Sequence, residues 1–195
     1  MKKRICLLVL VAAAAASVRA QNVPIREAPV QWINVVNARP DVAGNGLWKP
    51  TSEHAWNAGA SSSKTIAFGD GVVRFTAMGD WTFRAAGLGR CDRDQSLEDI
   101  EFGWFLTPEG WAYPVESGVI AIGPAVNYGW GTVFDVAIRN GVVEFGVDGR
   151  PLARAVRSPK YPLAFDAALY SPGAYVGDAW ITGFLANAPV GACKE

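Results

Sequence analysis

Three carboxylates crowd the stretch LEDIE: Glu98, Asp99 and Glu101. On a β-strand alternate residues share a face, so Asp99 and Glu101 would point one way and Glu98 the other. Two carboxylates on one face can cleave a glycosidic bond, one as acid and the other as base or nucleophile. Retaining glycosidases that carry their acids on a strand space three of them as E-x-D-x-E. Here the first of those positions is Leu97. A glycoside hydrolase or polysaccharide lyase centred on Asp99 and Glu101 is one reading. The plainer one is a half-exposed strand with an acidic outer edge, its apolar face formed by Ile100, Phe102, Trp104 and Leu106.

The residues just before, CDRDQSLED, set Asp92, Asp94 and Ser96 at alternate positions, as a calcium loop begins. An EF-hand needs Gly at the sixth position and a bidentate Glu at the twelfth. This sequence has Leu97 and Gly103 there. No metal is expected, and the loop reads as solvated, with Arg90 and Arg93 offsetting its acids. His54 is the single histidine, and no G-x-S-x-G, H-E-x-x-H, C-x-x-C, phosphate-binding or dinucleotide motif accompanies it. No cofactor is expected.

Aromatic side chains remain. The chain has eight Trp. Trp and Tyr held at turns can stack on the apolar faces of sugar rings, with neighbouring polar groups binding the hydroxyls. The candidates are Trp111 and Tyr113 after the turn TPEG, Glu116 before Ser117-Gly118, and Tyr128 and Trp130 in NYGWG. Trp32, Trp104 and Trp180 are expected in the core. A strand over GVIAIGPAV would hold the two aromatic segments apart, so a turn at Gly123-Pro124 is expected to bring Trp130 towards Trp111 or Tyr113.

The elements that must position these groups are strands. TVFDVAIR, VVEFGV and RPLARAV alternate with period two and are joined by Asn140-Gly141 and Asp148-Gly149, the strongest hairpin signals a sequence carries. SKTIAF and VVRFTA flank a GDG turn, and WTFRAAGL, DIEFGWFL, WAYPVE, LAFDAALYS and YVGDAWITGFL continue the series. TSEHAWNAGASSS reads as a surface loop with one or two anchoring aromatics. The class is all-β, a two-sheet antiparallel sandwich ahead of a closed barrel. Strands this short, several of them apolar on both faces, argue against an outer-membrane barrel.

Residues 1–20 read as a signal peptide: basic Lys2, Lys3 and Arg4, an apolar core, then small residues before Gln21. The chain is expected to be exported, to the periplasm or beyond, with residues 21–195 forming one domain. Four of the 18 basic residues and none of the 18 acids lie in the leader, which leaves 14 against 18. That balance lacks the footprint of a nucleic-acid binder. No later segment is long and apolar enough for a spanning helix. Cys91 and Cys193 are the cysteines left, and an oxidising compartment favours a disulfide between them. The oligomeric state stays open.

The segment LWKPTSEHAWNAGASSSKTIAFGDGVVRFTA resembles the front of concanavalin A-like lectin/glucanase-fold modules of secreted bacterial surface proteins. AAGLG and VFDVAIRNGVVEFGVDGRPL resemble later strands of the same modules, and the resemblance spans about residues 30–184. It implies a jelly roll of two curved antiparallel sheets. By analogy it implies binding to carbohydrate or a cell-surface polymer, and with no positive catalytic signal among the residues the chain reads as a non-catalytic module of that kind. A structural or adhesive protein-binding module is the remaining alternative.

Overall fold

A computed structural model of the chain describes residues 24–79, 82–90, 92–120 and 123–188. The leader and both cysteines of the expected disulfide lie outside the described residues, and so does Trp81. Among the described residues fifteen strands follow one another: β1 (Arg26–Pro29), β2 (Trp32–Val36), β3 (Arg39–Pro40), β4 (Leu47–Trp48), β5 (Ala58–Ala77), β6 (Arg84–Gly89), β7 (Phe102–Leu106), β8 (Trp111–Glu116), β9 (Val119–Ile120), β10 (Val126–Asn127), β11 (Val133–Arg139), β12 (Val142–Val147), β13 (Arg150–Arg154), β14 (Leu163–Leu169) and β15 (Tyr175–Asn187). One 3-10 turn, Leu97–Asp99, precedes β7. Among the described residues no helix is long and apolar enough to cross a membrane.

All pairings are antiparallel and build two layers. The first runs β10-β8-β7-β6-β14 to the first half of β5, with β9 also on β8 and β2 on the far side of β5. The second runs from the latter half of β5 through β11 and β12 to β13. On its other flank it continues through β15 to β1 and β4, with β3 beside β4. The GDG segment, expected as a turn between two strands, is a bulge within one twenty-residue strand. The ladder with β15 steps from Gly71 to Ile66 while β15 advances only from Gly183 to Leu185. Gly69, at φ 69°, takes the bend that carries β5 from one layer to the other.

The expected hairpins form as the turn chemistry requires. Asn140-Gly141, Asp148-Gly149 and Ser117-Gly118 all have positive φ at both residues, the primed geometry that matches strand twist. Between the layers lies an aromatic core. The Trp104 ring of β7 sits 5.2 Å from Phe134 of β11 and 6.0 Å from Phe145 of β12, and Phe165 of β14 sits 6.1 Å from Phe75 of β5. Trp32 and Trp104 are core residues as expected. Trp180 is not. The ladder shift between Gly177 and Trp180 leaves Ala179 and Ile181 facing inward, so Trp180 is half-buried on the outside with its indole N–H donating to Asp178.

Candidate functional site

The pairings place the connections before β6, β8, β11, β13 and β15 at one end of the sandwich, and the 90–101 loop, Ser117-Gly118 and Asn140-Gly141 at the other. The 90–101 loop does not project into solvent. It folds back over the outer face of the first layer, where Leu97 and Ile100 pack on Ala85, Val115 and Ala168, with Trp56 and Phe105 at the margin. The floor beneath it is made of glycines. A Cβ on Gly103 would lie 2.6 Å from Ile100 and one on Gly118 would lie 2.8 Å from Glu98, whereas one on Gly59 would first meet the Ala167 backbone carbonyl of β14. Gly103 of EFG and Gly118 are thus where the loop needs room, and Gly59 of NAGASS is where β14 does.

This placement corrects the reading of the acids. Asp99 ends the 3-10 turn and β7 begins only at Phe102, so Asp99 and Glu101 do not share a strand. The Asp99 carboxylate is buried, accepting the Arg93 backbone N–H at 2.6 Å and its guanidinium at 3.0 Å. Glu101 pairs separately with Arg90 at 3.3 Å. Ile100 belongs to the outer cluster, whereas Phe102, Trp104 and Leu106 belong to the main core. Asp92 also turns inward and accepts the Ser61 hydroxyl at 2.7 Å. Beneath lies Asp166 of β14, fully buried, with no hydrogen-bond partner for Oδ2 among the described residues. Burial pushes both Asp92 and Asp166 above the usual carboxylate range, Asp166 well above it, and neighbouring aspartates add to the rise. Among the described residues no group of three His, Cys, Asp or Glu is placed to hold a metal ion.

The turn aromatics divide. Trp130 is 75% exposed and Trp111 43% exposed, and both lie at the same end of the sandwich. The chain does bend at Gly123, but the Ser117-Gly118 hairpin is what returns it to this end. β9 and β10 run back along β8, so Asn127 stands opposite Trp111, and Tyr128 donates its N–H to Gly110. Among the described residues no ring contact joins Trp130 to Trp111 or Tyr113. Tyr113 is half-buried opposite Phe105, whose ring stacks on Phe83 at 5.8 Å. Tyr128 is 6% exposed, sits in the core against Phe134 and donates its hydroxyl to the Thr107 carbonyl. Glu116 lies at the opposite end of β8 from Trp111. It is buried, and its two oxygens accept the N–H groups of Val156 and Arg157. Tyr128 and Glu116 are therefore committed inside the fold. His54 is exposed in the β4–β5 loop, its ring 6.0 Å from Tyr170.

The arrangement missed from sequence is the outer face of the second layer. Pro29, Trp180, Arg74, Asp135, Gly146 and Pro151 stand directly opposite one another across β1, β15, β5, β11, β12 and β13. A groove of about 220 Å³ runs over Val72, Ala137, Gly149 and Pro151, between Arg74, Asp135, Arg139 and Glu144. Gly146 makes the pit in which the Asp135 carboxylate sits, since a Cβ there would lie 2.7 Å from Oδ1. Burial raises the pKa of Asp135, Arg74 and Arg139 pull it down, and Glu144 raises it again. Glu144 is held by Arg139 at 3.3 Å and by Arg154 at 3.0 Å. The alternation Val133, Asp135, Ala137, Arg139 marked this face in the sequence, but nothing local to it showed which strand would lie alongside.

No protein-family model matches the sequence, and no curated protein matches it. Solved structures do match in fold. The carbohydrate recognition domain of Emp47p is similar at TM-score 0.53 and 10% identity, over 84% of this chain and 91% of that one. The exoplasmic/lumenal domain of VIP36, solved bound to calcium and mannose, is similar at TM-score 0.56 and 12% identity, over 83% of this chain and 84% of that one. A Bacillus subtilis protein of unknown function with a galectin-like fold is similar at TM-score 0.57 and 9% identity, over 84% of this chain and 96% of that one. At these identities the likeness is one of fold. The chain is a concanavalin A-like β-sandwich.

Proposed function

We propose that the protein is a non-catalytic, lectin-like module that binds glycan chains of a cell surface or extracellular polymer in the groove on the second layer. The observation that supports this is the row Trp180, Arg74, Asp135, Gly146 and Pro151 across an outer face that no loop covers among the described residues. An indole beside paired donors and acceptors over a small-residue floor suits a sugar, which has apolar ring faces and hydroxyl edges. Glycoside hydrolysis by two carboxylates would need a second acid free to act with Asp135. Glu144, its diagonal neighbour, has both oxygens in ion pairs. A second reading places binding at the loop end, favoured by the exposure of Trp130 and Trp111. The module acts after export, with residues 1–20 removed and Cys91 bridged to Cys193. Intact mass and thiol titration of the exported protein test that part.

A glycan array followed by titration of the strongest hit tests the site. Asp135→Asn and Arg74→Ala should each weaken binding about tenfold or more, as loss of a charge-assisted hydrogen bond does. Trp130→Ala should leave binding unchanged. The reverse result moves the site to the loop end. No hit on a broad array overturns the lectin reading.

A further inference from the structure

At the loop end, away from the groove, a cleft of about 370 Å³ is lined by Asp41, Trp48, Met78, Gly173 and Tyr175. Trp48 of β4 and Tyr175 of β15 are directly opposite in register, so their rings share one face. Trp48 is 38% exposed. Met78 lies over Gly177, where a Cβ would collide with it. Asp41 closes the cleft as a rigid wall. Its Oδ1 accepts the N–H of Gly44 at 2.8 Å and of Gly46 at 3.1 Å, and its Oδ2 accepts the Tyr175 hydroxyl at 2.5 Å. Gly46 has no room for a side chain, because Asp41 Oδ2 and the Tyr175 hydroxyl sit over it.

The charge of the wall follows from these bonds. Burial works against the Asp41 anion, but the Tyr175 hydroxyl and the backbone N–H groups outweigh it and hold the carboxyl below its ordinary value. Burial and the bond to Asp41 push the Tyr175 phenol up to about 12. At neutral pH the pair is one fixed negative charge with its proton on Tyr175. The other protons nearby are spent: the Gly173 N–H donates to the Lys49 carbonyl at 3.0 Å, and the Asp41 N–H to the Gly46 carbonyl at 3.0 Å. The lining therefore offers two aromatic rings, a thioether and a carboxylate, with few donors. A polyol needs donors as well as acceptors, and an anion would be repelled. A compact organic cation suits both the ring faces and the carboxylate.

We propose that this cleft binds an alkylammonium group of the choline kind, with Trp48 and Tyr175 as its aromatic walls and Asp41 as its counter-charge. Calorimetric titration of the full exported chain with choline chloride, and with its neutral isostere 3,3-dimethylbutan-1-ol, tests it. Choline should bind one to one and at least tenfold tighter than the alcohol. Trp48→Ala should cost at least tenfold, Trp48→Phe only a few-fold, and Asp41→Asn about tenfold. Should Asp41→Asn disturb the loop, the two Trp48 variants decide alone. Equal affinity for the alcohol, choline binding that survives Trp48→Ala, or no saturable choline binding each overturns the proposal. None of these outcomes depends on the groove, so glycan binding stands or falls separately.

Discussion

The two outer faces of this sandwich are built from the same kind of strand and put to opposite use. On the first layer, Gly103 and Gly118 give up their side-chain space to a loop, which buries Leu97, Ile100 and a set of aspartates. On the second layer, Gly146 gives up its space to the carboxylate of Asp135, and charged side chains line a groove. Glycine on an outer strand face therefore has no single meaning. It marks where something lies close, and only the identity of that neighbour separates a structural seam from a binding surface.

The contrast breaks most sharply at Gly87 of β6. A Cβ there would fall on the Phe102 carbonyl oxygen and Gly103 Cα, which are backbone and cannot move aside. Gly87→Ala should cost about 3 kcal/mol or more by chemical denaturation. Next comes Ile100→Ala, which empties the contact that holds the loop down. It should cost about 2–4 kcal/mol and raise amide exchange across residues 92–101 ahead of the rest of the chain.

Asp166 sharpens the comparison through pH. Its folded pKa, and that of Asp92, lie above the ordinary 3.8, so the native state holds protons that the unfolded chain has released. In the window from 3.8 upward to those raised values stability therefore falls as pH rises, the reverse of an ion-paired carboxylate. Asp166→Asn should flatten that slope. At neutral pH it should raise Tm by about 2–4 °C, the shift that ~1 kcal/mol produces in a chain of this size.

The smallest effects belong to the open surfaces. Gly146→Ala meets only the Asp135 carboxylate, which can swing away, so stability should change by less than ~1 kcal/mol while glycan affinity falls with the displaced acid. Trp130→Ala should move stability by roughly 0.5 kcal/mol or less, as exposed substitutions do. A large loss of stability at either position would mean that these surfaces carry the fold after all.

What could be read from the sequence was what is encoded locally. Asn140-Gly141 and Asp148-Gly149 specify their own φ values, so the β11–β13 meander was legible residue by residue. The all-β class followed from the same periodicities. The 90–101 loop was illegible because its conformation is set not only by Gly103 beside it but by Gly118 and by the Ala85, Val115 and Ala168 surface it packs on, Ala168 being far from it in sequence. Alternation continued through Asp99 suggested a strand, whereas the burial of Leu97 and Ile100 on the opposite face demanded a turn. The Trp180, Arg74, Asp135 row was illegible for a related reason. Its members lie on three strands whose register includes a bulge in β15, and no local signal reports a bulge. Tyr128 and Glu116 stood beside turns, but proximity to a turn does not tell whether a side chain points out or is tied back.

β5 finds its neighbours in β2, β11, β14 and β15, all but the first far downstream. Its last residue, Ala77, leaves the ribosome long before Asn187 completes β15. At about 5–20 residues per second that interval is roughly 5–20 s. At the start of that time the strand that joins both layers has only β2 to pair with, and its remaining edges fill in turn as β11, β14 and β15 emerge, so much of it is the kind of surface that invites association with other chains. The order in which this protein is made thus sets a window of exposure that the finished structure does not display, and whatever holds the nascent chain must cover residues 58–77 until the C-terminal strands arrive.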